Sequence, residues 1–173
     1  MKGLINICDS ERLNVVGTRN KLDNNKSELL SKSDYEQRTP EEIALIRRKS
    51  ISYLGGHLGD KATTMMWTCF KQFKDEIKDS RFPDKHFVSL NARATNDYRE
   101  KSGLIYLVNR FVNPFLNNLF AKRNIRIDQD AYALAEMLQW LFRSRIRNEE
   151  PINIYIPSSR MRNLLIKWLE GEY

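Results

Sequence analysis

The sequence predicts an α/β fold dominated by helix, and three observations lead there. Short apolar runs of strand length occur at residues 4–8, 86–90 and 151–156, each next to polar or Pro-containing connections. Between them lie longer stretches whose apolar residues recur every three or four positions. Strands and amphipathic helices therefore alternate along the chain, the order that builds βαβ units.

Residues 4–8 read as a short strand. Residues 23–33 are rich in Asn, Ser and Lys without a period and read as a mobile loop. The chain thus divides into an N-terminal strand with a polar mobile segment (1–38) and a helix-rich α/β core domain (39–173). Thr39, Pro40, Glu41 and Glu42 open a helix, with Thr39 as its cap and the acids against the dipole. It carries Ile43, Ile46, Ile51 and Leu54 and stops at Gly55 and Gly56. A second helix is expected over 62–78, with Met66, Cys69, Phe70, Phe73 and Ile77 on one face. After a strand at 86–90, helices are expected over 99–111 and, restarted by Pro114, over 115–122. Residues 125–127 read as a short extended piece. Asp128 or Asp130 caps a strong helix bearing Leu134, Met137, Leu138, Leu141 and Phe142. A strand at 151–156 follows, and Ser158 caps a last helix with Met161, Leu164, Leu165, Trp168 and Leu169 as its apolar stripe.

Composition narrows the classes. With 41% hydrophobic and 10% aromatic residues, the 173-residue chain has the material for a core. No apolar run approaches the roughly 18 residues that span a bilayer, and the N-terminus does not read as a signal peptide. No membrane partner is expected, and a cytoplasmic protein is. Cys8 and Cys69 lie in no C-x-x-C pair, and His57 and His86 have no ligand-like spacing to them, which argues against a metal site. Both cysteines read as reduced structural thiols. Neither a phosphate loop, a Gly-rich dinucleotide turn nor a nucleophile elbow occurs. No cofactor and no catalytic residue is therefore assigned, and enzymatic activity is not expected of this chain alone.

The net charge of +7 is unevenly placed. Residues 90–126 hold seven cations against two acids, whereas 127–142 hold three acids and no cation. The basic stretch contains Arg93, Arg99, Lys101, Arg110, Lys122, Arg123 and Arg126, interleaved with Tyr98, Tyr106, Phe111, Phe115 and Phe120. Such a stretch can track a phosphate backbone by displacing counterions, or it can be a solvated face over an aromatic core. Gln139, Arg143 and Arg147 recur at four-residue spacing, which places them along one edge of the strong helix, with Arg145 beside them. Arginines held so suit phosphate recognition. They equally suit a helix C-terminus, where positive charge offsets the macrodipole.

Residues 87–98, 106–114, 132–147 and 151–165, together with 9–22, resemble a stretch near the end of large DEAD/DEAH-type helicase-like proteins carried by phages and plasmids of low-GC Gram-positive bacteria. The resemblance covers most of the chain and implies part of a RecA-like helicase C-terminal domain. Gln139, Arg143 and Arg147 look like the Q-x-x-G-R-x-x-R motif whose arginines contact a γ-phosphate. They do so without a Gly before Arg143 and with one extra residue between the arginines. Arg93, Thr95 and Asn96 map onto a preceding motif that touches the nucleic-acid backbone. The domain that would hold the phosphate loop is absent from these residues, so the chain reads either as a fragment of a longer helicase-like protein or as a free-standing relative that kept only the C-terminal part.

The resemblance implies a nucleic-acid-binding module without its own motor, with DNA favoured over RNA. Its phosphate contacts would be Arg93, Thr95, Asn96, Arg99, Lys101, Arg110, Lys122 and Arg123. The alternative is a small mobile-element protein that binds and inhibits or redirects a host nucleic-acid enzyme, its partner drawn from a replication or defence machinery. A third reading offers Arg143 and Arg147 in trans to a partner's bound nucleotide.

Overall fold

A computed structural model describes residues 2–17, 28–58, 64–92 and 97–173. Four parallel strands form one sheet in the order β1-β4-β3-β2: β1 Ile5–Ile7, β2 Met65–Thr68, β3 Gly103–Tyr106 and β4 Ile152–Tyr155. Among the described residues seven α-helices accompany them: α1 Glu11–Asn14, α2 Lys32–Glu36, α3 Pro40–Tyr53, α4 Lys74–Ile77, α5 Pro114–Ala121, α6 Gln129–Leu141 and α7 Ser159–Glu170. This is the expected helix-rich α/β class.

A parallel sheet must be covered on both faces, and alternation along its strands divides the core in two. Met65, Trp67, Ile105 and Tyr155 pack toward α3 through Ile43, Ile46, Tyr53 and Leu54. Met66, Leu104, Tyr106, Ile152 and Ile154 face α6 and α7 through Leu134, Met137, Trp140, Met161 and Leu165. Gly103, at the start of β3, leaves room for Leu58; a Cβ there would overlap the Leu58 methyl groups.

The expected caps form. Thr39 Oγ1 accepts from Glu42 N at 3.3 Å while Glu42 Oε2 accepts from Thr39 N at 2.8 Å. Such a reciprocal box is worth about 1 kcal/mol. Asp128 caps α6, Ser158 caps α7, and Gly171 ends α7 in the left-handed conformation at φ 81°.

Four expectations are corrected. The helix over 62–78 is instead β2 followed by a turn of 3-10 helix and the short α4. The helix over 99–111 is instead β3 with an extended continuation. In both, four consecutive residues are buried, because the strand is covered on both faces. Such a run shows no period that separates strand from helix. Residues 86–90 contribute a single parallel bridge, Phe87 to Trp67, after a 3-10 turn. Finally, α6 ends at Leu141, where Ser144 Oγ and Ser144 N both donate to the Leu141 carbonyl. Gln139, Arg143 and Arg147 therefore do not share a helix edge; Arg147 lies in a separate 3-10 turn, Arg145–Asn148.

The 1–38 segment meets the rest of the chain intimately where it is described. β1 pairs with β4, Tyr35 donates its hydroxyl to the Leu107 carbonyl at 2.9 Å, and Leu29 and Leu30 are buried. Within it, Arg38 Nε donates to Asp34 Oδ2 at 2.7 Å with both side chains almost fully enclosed, and Asp34 Oδ2 also accepts from Leu30 N. Of the loop expected at 23–33, residues 23–27 lie outside the described residues. Truncating one partner of a buried ion pair strands the other. Arg38→Ala is therefore expected to destabilise the fold by about 3 kcal/mol in urea titration. Asp75→Ala, which breaks an exposed pair with Lys78, should leave the midpoint where it was.

Candidate nucleic-acid interface

The sequence-predicted cations divide between the two ends of the sheet. Arg99 and Lys101 precede β3, and the Arg145–Asn148 turn precedes β4. Because β3 and β4 are neighbours, both approaches reach the same amino edge. Arg145 N donates to the Lys101 carbonyl at 3.1 Å, and Asn148 Nδ2 to the Arg99 carbonyl at 3.5 Å. Residues more than forty positions apart in sequence thus meet, Arg99 and Lys101 on one segment and Arg145 and Arg147 on the other.

Lys85 and His86 join them. Lys101 Nζ lies 3.4 Å from His86 Nδ1. Burial, then the Lys101 and Lys85 charges, pull the His86 pKa below its ordinary value. Lys101 is lowered too, by burial and by Lys85. Glu100 pairs with Arg99 at 3.6 Å and Glu150 with Arg145 at 3.7 Å. The charges of Lys101 and Lys85 instead act on His86, and that of Lys85 on Lys101. A cluster that disfavours its own charge gains most when an anion arrives.

Arg143 has another position. Its Nη1 donates to the carbonyls of Ser89 and Leu90, at 3.4 and 3.3 Å. Burial lowers its pKa, opposed by Tyr98 and Glu136. The arginine thus fastens the strand of chain that leads into residues 93–96. Arg93, Thr95 and Asn96 themselves lie outside the described residues. Gln139 is exposed near the end of α6.

The remaining candidates lie beyond the carboxyl end of β3. Arg110 is half-buried, paired with Glu136 at 3.3 Å and set over the Tyr132 ring. Lys122 and Arg123 are exposed at the end of α5. One group at this edge was not singled out from the sequence. Arg160 donates to Asn109 Oδ1, to the carbonyls of Arg110 and Gln129, and to Asp130 Oδ1, and its guanidinium stacks 4.3 Å over Phe111. Only its place two residues past a helix cap hinted at it, and a cap position does not announce a partner.

The carboxyl edge also holds the point where chain direction reverses. The chain leaves β1 over the α3 face and leaves β4 into α7 on the other, so the two connections part on opposite faces of the sheet. Asp9 and Ser10 follow β1 at that edge, and Ser158 and Ser159 follow β4. Arg162 Nη1 there holds the Ile156 carbonyl at 2.9 Å. Cys8 and Cys69 are both buried thiols, and burial raises the pKa of each.

A four-stranded parallel sheet with helices on both faces makes this a Rossmann-like α/β domain. Residues 1–169 match the family described as the YonV C-terminal Rossmann-like domain, and the chain belongs to that family. It is 42% identical over 143 residues to the SPbeta prophage-derived protein YonV of Bacillus subtilis (strain 168). That match covers 83% of this chain but 34% of the relative, so the chain spans about a third of the relative's length. No solved structure matches. The prophage relative supports the phage side of the resemblance. Among the described residues, no helix is long and apolar enough to cross a membrane.

The electrostatics give a measurable sign. Lowered in the fold, His86 binds its proton less readily than in the unfolded chain. Its contribution to stability is present above the unfolded value near 6.5 and is lost as pH falls from there through the lower folded value. In an NMR titration His86 should titrate below 6.5, and Lys85→Ala should move it upward. An unchanged midpoint in that variant would show that Lys85 does not act on it.

Proposed function

We propose that this domain binds nucleic acid through its amino edge, as the nucleic-acid-engaging part of a prophage-encoded, helicase-like protein. What carries the reading is the joining of Arg99 and Lys101 to the Arg145–Asn148 turn by Arg145 N to the Lys101 carbonyl. The basic stretch around Arg99 and Lys101 and the turn that holds Arg147 of the arginine-bearing motif thereby support one basic edge. Arg143, through Ser89 and Leu90, ties the segment preceding Arg93, Thr95 and Asn96 to the same end of α6.

The charge arrangement supports a polyanion. Phosphates spaced along a strand would relieve the repulsion between Lys85 and Lys101, favour protonation of His86 beside them, and release counterions. DNA is the favoured strand. Lys122 and Arg123 lie on a separate element at the opposite end of the sheet and do not join this edge. The sequence holds no phosphate loop, so binding and not nucleotide turnover is the activity assigned to this chain.

Fluorescence anisotropy with labelled single-stranded and duplex DNA tests this. Affinity is expected in the range of about 10⁻⁴ to 10⁻⁶ M at physiological salt, weakening linearly on logarithmic axes as salt rises. Lys101→Ala and Arg147→Ala should each lower the slope by about one. Binding should tighten as pH falls toward 6, because bound phosphate raises the depressed His86 pKa and the complex takes up a proton. His86→Ala should flatten that dependence. No binding to either probe at low salt would refute the assignment.

A further inference from the structure

α5 is built with care and yet buries nothing. Asn113 Oδ1 accepts from Phe115 N at 2.9 Å, and Pro114 stands at the first position. The helix closes in a Schellman arrangement: Asn124 is left-handed at φ 58°, Asn124 N donates to the Ala121 carbonyl, and Ile125 N to the Phe120 carbonyl, both at 3.0 Å. None of its residues is buried. Phe115, Leu116, Leu119 and Phe120 recur at one- and four-residue spacing, so they form one stripe, and Ile125 at the cap extends it. These are five of the seven large hydrophobic residues exposed on the described surface, and Phe115 is 73% exposed. An eight-residue helix is marginal alone, so an apolar stripe on it implies a covering surface.

Charge says what covers it. No acid occurs from Asn113 to Ile127, and Lys122, Arg123 and Arg126 cluster at the carboxyl end of the helix. The first turn of α6 lies against its amino half: Gln129 Oε1 accepts from Val112 N at 3.0 Å, and Gln129 Nε2 donates to Asn117 Oδ1 at 3.4 Å. Asp128, exposed and capping α6, stands there. The arm is therefore acidic at one end and basic at the other.

We propose that α5 pairs with the α5 of a second copy of this chain, antiparallel about a two-fold axis. In that arrangement each stripe covers the other, and Lys122 and Arg123 of each copy face Asp128 of its mate. Three of the five stripe residues are aliphatic, which suits helix-on-helix packing and not the aromatic platforms on which bases stack. A second copy also supplies the acid that the basic end lacks. This pairing does not depend on the amino edge binding nucleic acid.

Sedimentation equilibrium of the purified chain is expected to show a monomer–dimer equilibrium. Phe115→Glu should abolish the dimer while its circular dichroism stays that of the parent and its melting matches that of the parent at concentrations where the parent is monomeric. Lys122→Gln and Asp128→Asn, the latter keeping a capping side chain, should each weaken association by about threefold or more, and the double variant should be no weaker than either alone. A parent that stays monomeric over about a hundredfold range of concentration overturns the proposal. So does a dimer indifferent to Phe115→Glu, or full additivity of the two charge variants. A monomer whose DNA affinity falls with Phe115→Glu overturns it in favour of a strand-stacking face.

Discussion

Arg160 and Asn109 hold the carboxyl edge of the sheet together, and the positions of four segments depend on them. Asn109 N and Nδ2 donate to the carbonyls of Leu30 and Leu29, fixing the N-terminal segment against the end of β3. Its Oδ1 accepts from Arg160, whose other bonds reach the start of α6 and the backbone after β3. The Asn109 side chain is buried, so each of these groups would go unsatisfied if one partner were lost. Leu30 is left-handed at φ 64°, an uncommon conformation for a leucine, and its backbone N–H and carbonyl are both engaged, by Asp34 and by Asn109. The ring of contacts thus holds the loop before α2 in a shape it would not choose alone.

That lock leaves the carboxyl edge committed. In Rossmann-like sheets this is the usual ligand edge, but here its principal arginine is spent on holding α6, α7 and β3 in place. Other cations gather at the opposite edge, where burial and the charges of Lys101 and Lys85 lower the proton affinity of His86, and burial and Lys85 lower that of Lys101. The division of labour between the edges follows from which arginines the core needed first.

Local chemistry was legible in the sequence wherever one residue decides a conformation. Thr39 with Glu42, Asp128, Ser158 and Pro114 each start a helix as expected, because a cap is a short-range bargain between a side chain and nearby backbone groups. The α/β class was legible too. β2 and β3 were not, because Met65–Thr68 and Gly103–Tyr106 are covered on both faces, and a period vanishes when every position is buried. The Gln139, Arg143 and Arg147 spacing misled for a related reason. Periodicity cannot show that Ser144 turns its hydroxyl back to Leu141 and ends the helix between them. The meeting of Arg99 and Lys101 with the Arg145–Asn148 turn was beyond reach, since it rests on β3 and β4 being neighbours.

The same neighbour relation explains why a basic edge and an apolar arm coexist on so small a domain. Each strand of a fully covered sheet offers its side chains to a core, so polar function is driven to the strand ends and to elements that leave the sheet. β3 has both kinds of exit. Its amino end receives Lys101 beside the turn that precedes β4, and its carboxyl end runs through Asn109 and Arg110 to Pro114 and the arm. Asn109 is anchored by Arg160 and Arg110 by Glu136, so α5 departs from a fixed point. An apolar stripe on a loosely tethered segment would fold back onto its own domain. Held at its root and closed by caps at both ends, the stripe stays presented outward.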